Sequence, residues 1–192
     1  MSEKGVPGLP DYVAPGMRVL FVGINPGLRS AQLGHHFAGH SNRFWKLLAD
    51  SKLIPIPLTY QDDFRLLEWG IGLTNLVARP TAGIHELSTQ EYREGRTILF
   101  KMIEVYRPQI IALLGLGITK ILFEESESKV HSLASVGRKV IPGLYPGLLQ
   151  QTPVFVLPNP SGRNAHYSYQ AMRHWFQELG TTIADLSARK DW

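Results

Sequence analysis

The 192-residue chain contains no cysteine. That absence excludes structural disulfides, thiolate nucleophiles, Cys-ligated zinc and Cys-bound iron–sulfur clusters, and it suits a reducing compartment. Long apolar runs are missing as well. No window approaches the length of a membrane span, and residues 1–16 hold no apolar core of signal-peptide length. A cytoplasmic protein with no membrane partner is the expectation. Strong charge is absent too: 20 Lys and Arg against 16 Asp and Glu leave a net charge of +4. Ordinary surface side chains explain such an excess, and it is only weak support for a polyanionic partner.

Phosphate-cradling glycine patterns are also lacking. Gly23-Ile-Asn-Pro-Gly27 fits neither G-x-G-x-x-G nor G-x-x-x-x-G-K-[ST], and Pro26 removes an N–H that a phosphate nest would use. Gly115-Leu-Gly117 is incomplete. Nucleotide cofactors are therefore disfavoured, and no cofactor is expected. His35, His36 and His40 lie in one loop without carboxylates at ligand spacing, so no metal is expected either.

What is present is a chain 44% hydrophobic and 19% charged, long enough for one domain with a sizeable core. Pro7, Pro10 and Pro15 mark residues 1–16 as an extended arm. Residues 17–186 read as a single domain and 187–192 as a frayed tail. Buried strands are expected at Arg18–Val22, Ile71–Val77, Gln109–Leu114 and Val154–Leu157. Ser41–Ser51 reads as a helix that Ser41 or Asn42 can cap, and Asp62–Trp69 as a shorter one closed by Gly70. Ser88-Thr-Gln-Glu91 matches a capping box opening a long helix that carries Ile98, Met102 and Val105 before Pro108. A helix through Phe123 follows Gly117, and the last helix, Tyr167–Leu179, turns Met172, Trp175, Phe176 and Leu179 inward. Glu124–Lys129 is an acidic surface link, and residues 130–150 are turn-rich and receive no element. The pattern predicts an α/β fold: a three-layer α/β/α sandwich around a mainly parallel four-stranded sheet.

Two strands end alike, in Gly-Ile-Asn25-Pro-Gly and Pro-Asn159-Pro-Ser-Gly. A parallel sheet delivers such turns to one edge, where ligands bind. An amide is no general base near neutrality, but it can position a water or hydrogen-bond a ligand. An Asx-type turn is the competing explanation for each. Phe37, between glycines, can stack on a planar ligand or serve the core. Arg163, at the tip of the last loop, can enter a DNA groove or simply meet solvent. Ser161 fails as a hydrolase nucleophile because Pro-Ser-Gly lacks the G-x-S-x-G elbow.

On these residues the chain resembles the mismatch-specific uracil-DNA glycosylase and thymine-DNA glycosylase family of the uracil-DNA glycosylase superfamily. The likeness is collinear from about Arg18 to Leu179. It runs through Gly23-Ile-Asn-Pro-Gly27, then Gly34 to Trp45 with Asn42-Arg-Phe-Trp, Gly72-Leu-Thr-Asn-Leu-Val77 with Arg79, Glu91 to Arg96, and Asn159-Pro-Ser-Gly162. The resemblance implies a monofunctional enzyme that flips and hydrolytically removes uracil, or another pyrimidine, from mismatched double-stranded DNA, working as a monomer. It implies that Asn25 holds the attacking water and that Asn159 faces the leaving pyrimidine's oxygen. Gly23, Ile24, Ser30, Phe37 and Asn75 would form the base pocket, with Phe37 stacking on the base. Ser161, Gly162, Arg163 and Asn164 would form the wedge that fills the vacated stack. Glu91 is a candidate auxiliary carboxylate, with its capping-box role as the competing reading. The family pattern is departed from at Arg163, where bacterial relatives place leucine, and at Asn75, where they place lysine; Ser30 departs from the thymine branch. A glycosylase for hypoxanthine or another deaminated base, and a non-catalytic lesion binder, are the alternatives.

Overall fold

A computed structural model describes residues 7–123, 140–149 and 152–188. The elements are β1 (Val19–Gly23), α1 (Leu28–Leu33), α2 (Phe44–Asp50), a 3-10 helix (Tyr60–Trp69), β2 (Ile71–Asn75), a 3-10 turn (Ile84–Glu86), α3 (Thr89–Tyr106), β3 (Ile110–Leu114), α4 (Leu116–Phe123), β4 (Gly143–Leu149), β5 (Thr152–Leu157) and α5 (Tyr169–Ala188). None of the described helices is long and apolar enough to cross a membrane.

The strands lie in the order β2-β1-β3-β5-β4. All pairs are parallel except β4 with β5. Alternating side chains serve two cores, one on each sheet face. Val19 and Phe21 of β1 pack with α2 and with Met172, Phe176, Leu179 and Ile183 of α5. Leu20 and Val22 pack on the other face with Leu99 and Ile103 of α3 and Ile118 and Leu122 of α4. This is the expected three-layer arrangement, but the sheet has five strands instead of four. The fifth, β4, falls inside the stretch to which sequence reading assigned no element. Gly143, Pro146 and Gly147 break its alternation, and its ladder shifts register between Tyr145 and Leu149. An edge strand needs only one ladder, so it tolerates a proline that a central strand would not.

The opposite edge is covered. Tyr12 exchanges backbone hydrogen bonds with Leu73 at 2.9 and 2.8 Å, and the Thr74 hydroxyl donates to Asp11 at 2.6 Å. The segment before β1 thereby shields β2, which would otherwise present an unpaired row of N–H and C=O groups.

Two helices differ from their expected faces or lengths. On α3 the buried side is Gly95, Leu99 and Ile103, while Ile98 and Val105 are 61% and 68% exposed. Gly95 sets this rotation: a Cβ there would overlap the Leu76 carbonyl oxygen, so the helix meets the end of β2 with bare backbone. Helix α5 runs past Leu179 to Ala188, and the Ser187 hydroxyl sits between Ile183 O and Gln109 Oε1. The short α1 was not anticipated. The Glu124–Lys129 link lies outside the described residues.

Replacing glycine by alanine in a helix ordinarily stabilises it by about 1 kcal/mol. Gly95→Ala should do the reverse, lowering stability by about 1–3 kcal/mol as in other overpacked sites. Urea denaturation checks this; an unchanged or raised midpoint would contradict the close approach.

Candidate active site

Four parallel strands end on one edge, and the chain reverses its direction through the sheet between β1 and β3, the place where open α/β sheets bind ligands. Asn25 stands two residues beyond β1, and Asn159 two beyond β5. Strand β3 lies between them. With strands about 4.8 Å apart, the ends of β1 and β5 from which the two asparagines follow are about 10 Å apart. Gly115 follows β3 at φ +121, a conformation that side chains disfavour. A Cβ there would meet Asn159 Cβ at 3.4 Å, so Gly115 turns bare backbone to Asn159.

The two amides are oriented in opposite senses. Asn25 Nδ2 donates to Arg79 O at 3.0 Å and to Thr81 Oγ1 at 2.7 Å. The Thr81 hydroxyl gives its own proton to Gly83 O at 3.0 Å. A carbonyl only accepts, and this hydroxyl's proton is committed, so the amide nitrogen must face them both. Asn25 Oδ1 is then the acceptor left for a ligand. At Asn159 the polarity is reversed. Its Oδ1 accepts the Ser161 N–H at 2.9 Å, and its carbonyl accepts Asn164 Nδ2 at 2.9 Å. What Asn159 has left is Nδ2, a donor. Buried Thr81, whose N–H also binds Pro26 O at 3.1 Å, was missed by sequence reading.

Gly23, Phe37 and Asn75 share one small space. A Cβ on Gly23 would lie 2.7 Å from Asn75 Oδ1 and 3.9 Å from the Phe37 ring. The backbone around Ile24 is pinned there, with Val77 N–H on Ile24 O and Leu76 N–H on Gly23 O, both at 2.8 Å. Phe37 stacks on Phe44 with centroids 4.0 Å apart and adopts φ +53, a costly value for a side-chain-bearing residue. Its neighbours hold it in place. Ser30 is buried and accepts the Ala38 N–H at 3.0 Å, so this hydroxyl fixes the residue after Phe37. Asp63, wholly buried, accepts the His36 N–H at 2.9 Å and lies 3.1 Å from His35 Nδ1. His36 Nε2 is 2.8 Å from Pro10 O, so that nitrogen carries the proton, and burial pushes the imidazole pKa down. Sequence reading placed Asp63 in the Asp62–Trp69 helix and gave it no role. Among the described residues, no three His, Asp or Glu side chains gather to hold a metal.

The loop after β5 reaches the same rim. Arg163 Nη1 donates to Ala82 O at 2.9 Å, beside the segment that anchors Asn25. A Cβ on Gly162 would overlap Ser41.

Both carboxylate oxygens of Glu91 are engaged by neighbouring residues. Its carboxylate accepts Arg79 Nε at 2.6 Å and Nη2 at 3.1 Å, and Ser88 N and Oγ at 2.8 and 2.9 Å. It thus completes the α3 capping box and holds Arg79, whose carbonyl receives the Asn25 amide. Arg79 first, then the Ser88 N–H, lowers the Glu91 pKa from 4.5 to about 2. A depressed carboxylate stabilises the fold above its unfolded pKa and loses that contribution as pH falls. The melting-temperature gap between wild type and Glu91→Gln should therefore be full above pH 4.5 and close toward pH 2. A gap constant across that window would remove the pairing from the account.

The family model described as Uracil DNA glycosylase superfamily matches residues 10–180, a span that includes Asn25, Phe37, Asn75 and Asn159. The fold is similar to the solution NMR structure of a candidate uracil DNA glycosylase from Methanosarcina acetivorans, with a TM-score of 0.54 at 18% identity over 91% of this chain and 98% of that one. At that identity the likeness speaks for the fold alone. The match to the family model covers both asparagine loops and all five strands, and on that basis the chain belongs to the uracil DNA glycosylase superfamily.

Proposed function

We propose that this protein is a monofunctional glycosylase that removes uracil from G·U mismatches in duplex DNA and leaves an abasic site, acting as a monomer. The observation that carries the proposal is the opposed polarity of Asn25 and Asn159 across one gap. Hydrolysis of an N-glycosidic bond needs both kinds of group: a donor for the departing base and an acceptor for the incoming water.

The base must first leave the duplex, which costs a few kcal/mol and least at a mismatch. Phe37 then stacks on its ring, over the side-chain-free Gly23. Asn75 and the backbone at Ile24 line its edge, and the 161–164 tip occupies the vacated stack. The C1′–N bond breaks with its electron pair moving to the base, leaving an oxocarbenium-like sugar. Asn159 Nδ2 donates to the pyrimidine oxygen on which negative charge develops. Asn25 Oδ1 accepts a hydrogen bond from water and aims its oxygen at C1′. The water's proton passes to the base anion or to solvent, since an amide cannot keep it. Glu91, engaged by Arg79 and Ser88, is assigned no proton.

With no base to activate water, bond breaking carries the barrier, and good leaving groups are favoured. Uracil fits that requirement better than thymine. The collinear motifs of the sequence support assignment to the mismatch-specific and thymine-DNA branch, with arginine at 163 and asparagine at 75 closer to the thymine enzymes.

Single-turnover assays on a G·U duplex test the roles. Asn25→Ala and Asn159→Ala should each lower the rate by about 10²–10³-fold, the usual effect of removing one preorganised group. Thr81→Val removes one of two anchors of Asn25 and should cost about tenfold, the worth of one hydrogen bond. Retained cleavage in folded Asn25→Ala would sink the water-holding role. A panel with uracil opposite guanine, adenine and nothing, plus hypoxanthine and thymine, sets the substrate; activity on hypoxanthine alone would overturn the pyrimidine assignment.

A further inference from the structure

The motif Asn42-Arg43-Phe44-Trp45 is used by the fold at three of its four positions. Asn42 Oδ1 accepts the Phe44 N–H at 2.9 Å, Phe44 is buried beneath Phe37, and the Trp45 indole donates to His36 O at 3.2 Å. Arg43 is the remaining member, at the N-cap of α2. Helix N-caps favour Ser, Thr, Asp and Asn, and a cation there opposes the helix dipole. Its role lies outside its own helix.

Arg43 reaches the loop after β5 with three donors. Its backbone N–H binds Pro160 O at 3.0 Å, and Nη2 binds Ser161 O at 3.1 Å and Asn164 O at 3.0 Å. The last two carbonyls bracket Gly162 and Arg163. A planar guanidinium fixes the spacing of two acceptors in a way a lysine ammonium cannot. Ser41, two residues earlier, packs so closely on Gly162 that no side chain fits there. Loops 41–43 and 160–164 are therefore joined by one cation and one close backbone approach.

We infer that Arg43 is the positioning residue of the 161–164 tip, holding it in one shape before DNA arrives. The inference rests on the reading of that tip as the wedge given under Proposed function. The clamp extends one peptide back: Ser161, whose carbonyl Arg43 holds, uses its N–H to orient Asn159 Oδ1. Arg43 touches neither base nor water in this account.

The test uses the full chain, wild type, Arg43→Met and Arg43→Lys. Trypsin cuts after arginine, and Arg163 is exposed at the tip, so cleavage of the Arg163–Asn164 bond followed by mass spectrometry reports tip order without requiring activity. Arg43→Met should be cut there about tenfold faster than wild type, with other sites unchanged, because local opening governs such cleavage. Arg43→Lys should fall between, and it serves as the readout if the methionine variant does not fold. On the G·U duplex, Arg43→Met should lose about 10–100-fold in single-turnover rate, as for charge-assisted hydrogen bonds elsewhere. Added methylguanidinium should restore part of that loss. Equal cleavage at Arg163 in wild type and both variants overturns the inference, even if excision falls. Faster cleavage with no excision by wild type on any lesion keeps the clamp and overturns the glycosylase reading instead.

Discussion

A carbonyl oxygen accepts and cannot donate, and that constraint sets the direction of Asn25. Arg79 O and the committed Thr81 hydroxyl leave the amide one orientation, with nitrogen inward and oxygen toward the gap. The rest of the site inherits its sense from this. Asn159, turned the other way by the Ser161 N–H, becomes its chemical opposite although the two residues are the same. A site of two asparagines thus acquires an acceptor side and a donor side without any titratable group. The two amides are held by backbone groups and one threonine hydroxyl, so their orientation depends on the positions of loops and survives changes of pH that would recharge a carboxylate or an imidazole.

Those loops are placed by groups that never face the gap. Glu91 holds Arg79 and so the carbonyl that Asn25 uses. Asp63 and Ser30 hold the backbone on either side of Phe37, keeping its ring over Gly23 despite an unfavourable φ. Buried carboxylates with several donors are costly to disturb because each partner is left unpaired. The same economy recurs at Gly95 and Gly162, where the lack of a side chain lets one backbone segment touch another.

Much of this was legible in the sequence. The apolar runs of β1, β3 and β5 are continuous because helices cover both faces, and the Asn-Pro turns after β1 and β5 singled out one edge of the sheet. The capping box at Ser88 and Glu91 was readable because it depends only on residues three apart. What escaped reading depends on long-range contact. Strand β4 is interrupted by proline and glycine and exists because β5 offers it a ladder. The face of α3 was misjudged because Ile98 and Val105 look like core, whereas the fit of Gly95 on Leu76 turns them outward. Thr81 and Asp63 carry no local signal for their roles: each acts on a residue more than 25 positions away.

The place of β3 between the two asparagine loops has a consequence for evolution of the candidate site. Because Asn25 and Asn159 follow strands on either side of β3, the spacing of those strand ends is a property of the sheet's hydrogen-bonded lattice, two repeats across, and the lattice does not stretch. Point substitutions in the strands cannot tune it. On the proposed reading, changes of substrate size fall to the loops beyond the strand ends, while the sheet acts as a ruler of fixed gauge between the two amides.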